Sequence, residues 1–527
     1  MLLNFNLSFE KDIAHDDICR TVIEVVEEVN IARYVDFTNR NTHGYDGVMM
    51  FKLIMLAMAD RGYVSTRKLS KLCKTDIRYM FIAQNQKPSH QAFQRFIHDD
   101  LTMPIEDIFY EINKYIESKI SINTDVLCID GTKYEANANK NTFVWRANTI
   151  RNRTKRWKKV ILCLKKINKY FAEQNIALNY SLLKEPSIEY MLAVADGIER
   201  YMKDYNIEFV HGKGKRKTPL QRSIETLESY IQKLKEYIKK IHLCGTRNSY
   251  SKTDPDATFM RMKEDAMMNG QLKPAYNLQH GVDSEYITWI DISAKPTDTG
   301  TLIPFLKDME KHLSFRYQEI VADAGYESEE NYLFLEKNGQ SSFIKPMNYE
   351  ISKTRKYKKD IGKMENMEYD PEKDSYRCQN RKMLTVQYQR KQKTATGYLR
   401  TVTVYQCHEC KGCTFKEKCI KGNNCKTPME KREKRLYVSK VMKQKREENV
   451  KRIISEYGNQ LRMNRSIQAE GSFANVKEDM NFRRYLYRGK ENVTAQSVIL
   501  AIGYNINKLH HKIQNGRTGQ HLFALKK

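Results

Sequence analysis

The sequence predicts an α/β protein: a mixed-sheet core with a helical N-terminal region and two insertions. Three observations predict it. Short apolar runs, two of them ending in an acid, alternate with helical stretches. A heptad seam separates the first of these runs from the rest. A polar, cysteine-bearing stretch separates the last run from a helical C-terminal part.

The elements follow in order. Residues 1–120 read as helical, with a mostly apolar run from Val48 to Ala59, a break at Gly62-Tyr63, and Ser89 as an N-cap after Pro88. Arg67, Lys68, Lys71, Arg78 and Arg95 in this region suit either DNA binding or the solvated face of a packed bundle. Asp125–Asp130 is a short apolar run closing on an acid, which predicts a buried strand. Leu220, Ile224, Leu227, Ile231, Leu234, Ile238 and Ile241 alternate steps of four and three, the signature of a heptad seam. Ile161, Leu164, Ile167 and Phe171 offer a partner face, so residues 150–249 read as a helical, coiled-coil-like insertion, an antiparallel hairpin or a self-association surface.

Strands are expected at Ala275–Asp283, Glu285–Ser293, Gln318–Asp323 and Ser341–Pro346, with helices at Pro304–Leu313 and Glu329–Asn338. Residues 121–149 and 250–349 thus form the core. Residues 350–440 read as an irregular Cys-rich insertion, and 441–527 as a helical return to the core, with helices over Lys440–Val476 and Asn492–Gln514.

Charge narrows the function. The 527 residues carry 91 Lys and Arg against 64 Asp and Glu, a net charge of +27, which points to a polyanionic partner, most often nucleic acid. No acid occurs from Ala136 to Ala172, where Arg151, Arg153, Lys155, Arg156, Lys158 and Lys159 surround Trp157, the densest phosphate-contact candidate. No apolar stretch approaches membrane-spanning length, and Met1–Asp12 lacks the marks of a leader, so no membrane partner and a cytoplasmic location are expected. Five of the eleven cysteines crowd between Cys407 and Cys425, which suits a reducing compartment with one metal knot and not a disulfide framework. Cys407, Cys410, Cys413 and Cys419 are the candidate Zn²⁺ ligands, with Cys378 as a further contributor.

The acids carry the chemistry. If the strands share one sheet, Asp130 and Asp323 reach adjacent strand ends, and Glu470 reaches them from a packed helix. Three converging carboxylates suit hard divalent cations such as Mg²⁺, and two such ions suit in-line phosphoryl transfer. Asp283 is the rival acid, read as structural.

The order of motifs resembles that of bacterial insertion-sequence transposases of the DDE, ribonuclease H-like type, in the branch with an InsH-like N-terminal domain and a Cys-bearing insertion. Tyr45-Asp46, Ser65–Arg67 and Pro88–His90 resemble the N-terminal domain. Ile129–Thr132 resembles the first catalytic strand, and Ser251–Ala257 with Tyr276–Gln279 and Asp283 resembles the central signature. Ala322–Tyr326 resembles the second catalytic strand; Arg465–Phe473 with Lys477, Arg483-Arg484, Arg488-Gly489 and Tyr504-Asn505 resembles the third.

The resemblance implies that Asp130, Asp323 and Glu470 bind two Mg²⁺ or Mn²⁺ ions. It also implies that first a water and then a DNA 3′-hydroxyl attacks a phosphodiester, and that the protein works as at least a dimer on double-stranded element ends and target DNA in the nucleoid. Arg465, Lys477, Arg483, Arg484 and Arg488 join the DNA-binding candidates on the same ground. One departure stands out: the family's Tyr-x2-Arg-x3-Glu-x6-Lys pattern keeps its Glu-x6-Lys half, but Met463 and Ser466 fill the Tyr and Arg slots, and Arg465 lies one residue early. A two-metal nuclease on the same fold and a non-catalytic DNA-binding relic are the alternatives.

Overall fold

The computed structural model describes residues 9–35, 44–120, 122, 124–212, 214–262, 270–313, 315–422 and 425–519. Residues 1–8, on which most of the reading of the chain's start rests, lie outside that range. Two compact units emerge: residues 1–132, 277–483 and 491–527 form the first, and 133–276 with 484–490 the second.

The first unit opens with helices whose starts the sequence dictates. Asp46 caps Gly47–Arg61 by accepting from Met49 N at 2.7 Å, Ser65 caps Thr66–Thr75, and Ser89 caps His90–Arg95 as expected. Gly47–Arg61 is buried almost all round, as its run of Met, Leu and Ile requires.

Thirteen strands occur among the described residues. The first eight are β1 (Val126–Glu135), β2 (Phe143–Trp145), β3 (Ser249–Ser251), β4 (Thr258–Arg261), β5 (Leu272–Asp283), β6 (Tyr286–Ser293), β7 (Glu319–Ala322) and β8 (Ser341–Ile344). The rest are β9 (Glu368–Asp370), β10 (Ser375–Arg377), β11 (Met383–Lys393), β12 (Leu399–Cys407) and β13 (Lys434–Val438).

In the first unit the sheet runs β6-β5-β1-β7-β8. β5 and β6 are antiparallel, while β1–β7 and β7–β8 are parallel. Ser284 and Glu285, both at positive φ, turn the β5–β6 hairpin in the sense that matches strand twist. Helix Leu302–His312 leads from β6 into β7, and Glu329–Lys337 joins the parallel pair β7–β8, giving the mixed α/β, ribonuclease H-like core that the resemblance implies. The strand holding Asp130 does not stop there, as the sequence suggested, but continues to Glu135.

Residues 350–440 are not irregular. β9 to β13 form an antiparallel sheet in the order β13-β12-β11-β10-β9 over a core of Tyr376, Leu384, Tyr405, Leu436 and Val438. The alternation Leu384, Val386, Tyr388 did signal a strand, but it is short, and from Gln389 to Lys393 β11 is wholly polar and solvated on both faces. The helical return also differs: Ser455 ends one helix at Ile454 and caps the next, Glu456–Arg465.

The expected helical insertion lies in the second unit and has three long helices: Arg146–Glu173, Ile188–Asp204 and Pro219–Cys244. The first and third pack antiparallel, since Cys163 Sγ meets Ser223 O at 3.3 Å and Arg156 lies over the Tyr230 ring at 5.0 Å. Leu220, Ile224, Leu227, Ile231 and Leu234 of the seam are buried against Leu164, Ile167 and Phe171, and Met191, Val194 and Ile198 of the middle helix complete the core. Ile238, further along the seam, is 40 % exposed. Among the described residues no helix is long and apolar enough to cross a membrane.

Candidate active site

The register of β1 on β7 sets the two aspartates. Ile129 pairs with Ala322 in a parallel ladder, so the residues that follow, Asp130 and Asp323, emerge side by side. Asp130 sits in a strand whose neighbours are buried, and its side chain is only 12 % exposed. Asp323 leaves β7 into a 3₁₀ turn and accepts from Gly325 N at 2.8 Å, which fixes its carboxylate.

Glu470 reaches this corner through Arg465. The guanidinium lies 2.8 Å from Glu470 Oε1 and 3.6 Å from Asp130 Oδ1, so one cation holds two of the three acids. The one-residue offset in the motif has a physical explanation. Ser466–Glu470 is a π-helical turn. An α-helix stacks residues four apart, whereas a π-turn bonds i to i+5 and brings residues five apart together. Arg465 and Glu470 therefore share a face despite the extra residue. A second π-turn, Asn475–Asp479, carries Lys477, whose Nζ meets Thr132 Oγ1 on β1 at 2.9 Å.

The helix is anchored beneath these groups. Phe473 is buried and stacks on His280 of β5 at 4.0 Å between ring centroids. Burial lowers the His280 pKa to about 3, so the ring is neutral, and its Nδ1 pairs with Ser472 Oγ at 3.1 Å. Asp283 takes no part in this cluster. It lies buried at the β5–β6 hairpin with Ser284 Oγ on its Oδ1 at 3.0 Å, and burial holds its carboxyl well above the usual range.

Two features escaped the sequence reading. Tyr326 is fully buried and donates to Gln279 Oε1. Burial, then the charges of Asp298, Asp130 and Asp323, raise its hydroxyl pKa far above normal against the opposing Arg465. Asp298 thus belongs to the same corner, though in sequence it looks like a turn residue after Pro296.

The DNA-contact candidates divide. On Arg146–Glu173, Arg151, Lys155, Lys158 and Lys159 are exposed and Arg153 and Arg156 half-buried. Trp157 is no base-stacking platform: it is buried, and its Nε1 donates to Leu183 O at 3.0 Å. Arg483 pairs with Glu478 at 2.5 Å. The backbone of Arg484 forms a β-bridge with that of Glu135, and the Arg488 side chain donates to Asn137 O at 2.8 Å, so both also brace the second unit. There too Asp254 of the central signature is buried, accepting from Tyr276 Oη at 2.9 Å and from Gly489 N at 3.3 Å. The Ser251–Ala257 part of that signature, with Tyr276, is a structural knot in this chain.

The expected zinc site is not formed. Cys378, Cys407, Cys410, Cys413 and Cys419 do line one small cavity. Yet Cys407 and Cys410 pack into the apolar core under the second sheet, and burial pushes the Cys407 thiol up to about 12. Cys410 Sγ donates to Cys407 O at 3.4 Å and receives Lys434 N at 3.4 Å. Among the described residues no three His, Cys, Asp or Glu side chains stand arranged to hold a metal ion. At the aspartate corner the donor chemistry still suits a hard cation, since the acids offer only oxygen; in this structure Arg465 takes the cation's place between Asp130 and Glu470.

Comparison with known families agrees with this geometry. Residues 377–510 match the family model described as a transposase DDE domain, a span that includes Arg465, Glu470 and Lys477. Residues 7–99 match the model described as a transposase domain (DUF772). No curated protein and no solved structure matches the chain. Transposases of the DDE type act enzymatically on DNA, bind it, and generally use divalent metal ions. With both models matched in one chain and a mixed sheet bringing the two aspartates together, the matches support a DDE-type transposase of an insertion sequence.

Proposed function

We propose that this transposase cuts DNA at the ends of its element and joins the freed 3′-hydroxyl to target DNA at the corner formed by Asp130, Asp323 and Glu470. The observation that carries the proposal is the parallel register of β1 and β7, which sets the two aspartates side by side, with Glu470 tied to Asp130 through Arg465. When bound by these carboxylates, two Mg²⁺ or Mn²⁺ ions supply Lewis acidity for the attacking and leaving oxygens.

The chain's own residues supply the rest. Asp130 is held within β1 and Asp323 at the end of β7, which removes the cost of assembling two like charges at the moment of reaction. Arg465 is a positioning residue: it neutralises Asp130 and Glu470 and keeps the exposed Glu470 turned toward the strands. Lys477, beside Thr132, offers an ammonium to a DNA phosphate next to the acids. Arg151, Lys155, Lys158 and Lys159 add sequence-independent affinity along one exposed helix. The reaction joins two DNA ends, and a dimer on duplex DNA is the expected assembly.

The test uses full-length protein, DNA carrying the element's terminal repeats, and Mg²⁺ or Mn²⁺. Wild type is expected to nick and join the ends. Asp130→Ala, Asp323→Ala and Glu470→Ala are each expected to bind the DNA without cutting it. Cleavage that survives all three substitutions sinks this assignment, and wild-type binding without cleavage under either metal makes the chain a DNA-binding relic.

A further inference from the structure

Asp298 opens the short turn Asp298–Gly300, facing the aspartate corner from a third direction. Its Oδ1 accepts from Asn277 Nδ2 at 2.7 Å and from Gln279 Nε2 at 3.2 Å, both on β5. Two amides on one oxygen fix the plane of the carboxylate and leave the other oxygen directed outward.

That second oxygen faces Asp323. A methyl group built on Gly325 would stand 3.0 Å from Asp298 Oδ2 and 3.0 Å from Asp323 Oδ1, so the two carboxylates flank the same small space. A methyl on Gly131, the neighbour of Asp130, would stand 2.9 Å from Asp298 Oδ1 and 2.5 Å from Gln279 Nε2. Gly131, directly after Asp130, and Gly325, two residues after Asp323, are glycines where a side chain would push Asp298 or its clamp aside.

The turn is also fastened to the Asp323 loop. Thr299 Oγ1 donates to Gly325 O at 3.0 Å, and Asn331 Nδ2 bridges Thr299 O at 3.1 Å and Tyr326 O at 2.7 Å. Thr301 Oγ1 meets Gln279 Oε1 at 3.1 Å, the same oxygen that receives Tyr326. A carboxylate held this firmly beside another one costs Coulomb energy unless a cation joins them.

We propose that Asp298 is a fourth acidic group of the active site: a positioning residue, oriented by Asn277 and Gln279, whose charge beside Asp323 strengthens the site's hold on a divalent cation. This rests on the assignment of Asp130, Asp323 and Glu470 made above. Asparagine at position 298 can accept the same two amide hydrogens and fill the same volume, so Asp298→Asn removes charge and little else.

Mn²⁺ binding to the full-length chain, followed by electron paramagnetic resonance without DNA, tests it. The charge of one carboxylate a few ångströms from a dication corresponds to about a tenfold change in affinity even with water-like screening. Asp298→Asn is expected to bind Mn²⁺ about tenfold more weakly, to melt with wild type, and to recover wild-type cleavage at saturating Mn²⁺. Asp298→Glu keeps the charge and is expected to bind more tightly than Asp298→Asn. Unchanged Mn²⁺ affinity in Asp298→Asn overturns the proposal, as does a cleavage defect that saturating Mn²⁺ does not repair. Equal weakness of the Glu and Asn variants overturns it too, because geometry and not charge would then be at work. If Asp130→Ala binds Mn²⁺ as tightly as wild type, the triad assignment itself has failed, a result distinct from any of these.

Discussion

The first unit contains two sheets that treat charge in opposite ways. β1 is buried along most of its length, so Asp130 between Ile129 and Gly131 is out of place unless something needs it. β11 is exposed along most of its length, and the charges of Lys391 and Lys393 there stay in water and cost little. A charged residue is informative in proportion to the water it has been denied.

Substitutions can break or sharpen that contrast. The largest effect is expected from Asp130→Ala, which should slow DNA cleavage by roughly a thousandfold or more, about 4 kcal/mol. Lys391→Ala on the exposed strand should leave the rate unchanged; comparable losses in the two would erase the distinction. Next comes packing. Leu384, fully buried under the second sheet, should cost about 2–5 kcal/mol on truncation to Ala in urea melts, whereas Tyr388, 48 % exposed on β11, should cost far less.

The core sheet also hides a titratable ring. His280 has a folded pKa of about 3, below its ordinary 6.5, so the unfolded chain takes up its proton first. Its contribution to stability is whole above pH 6.5 and drains away as pH falls toward 3. His280→Gln should flatten that part of the stability–pH curve, and an unaltered slope would mean that other groups set it. Arg465→Lys should lower cleavage by about tenfold, since a point charge cannot span two carboxylates as a planar fork does. The smallest effect belongs to Arg483→Ala. Its partner Glu478 is as exposed as it is, and the melting free energy should move by less than about 0.5 kcal/mol.

Much of this was legible because burial leaves a pattern. The apolar runs into Asp130 and Asp323 locate β1 and β7, and the heptad seam locates the helix Pro219–Cys244. What stayed hidden lacks such a pattern. The strands of the second sheet are polar on their solvated faces, so their sequence resembles loop. The helix Ile188–Asp204 buries only a narrow stripe around Met191, Val194 and Ile198, and Gly197 interrupts its propensity. Asp298 acts through Asn277 and Gln279, which lie about 20 residues upstream on another element, and no local spacing announces such a partnership. Four of the five cysteines clustered in sequence, all but Cys425, share a cavity wall with Cys378, which no spacing announced.

The π-turn at Ser466–Glu470 has a consequence for how such chains are recognised and edited. It stores one supernumerary residue within a single turn, so the helices on either side keep their register while the count between Arg465 and Glu470 grows by one. A search that fixes the gap between the two will pass over this chain. An engineer who deletes one codon there is in effect tightening a spring, and the same two side chains should still meet across the shorter coil.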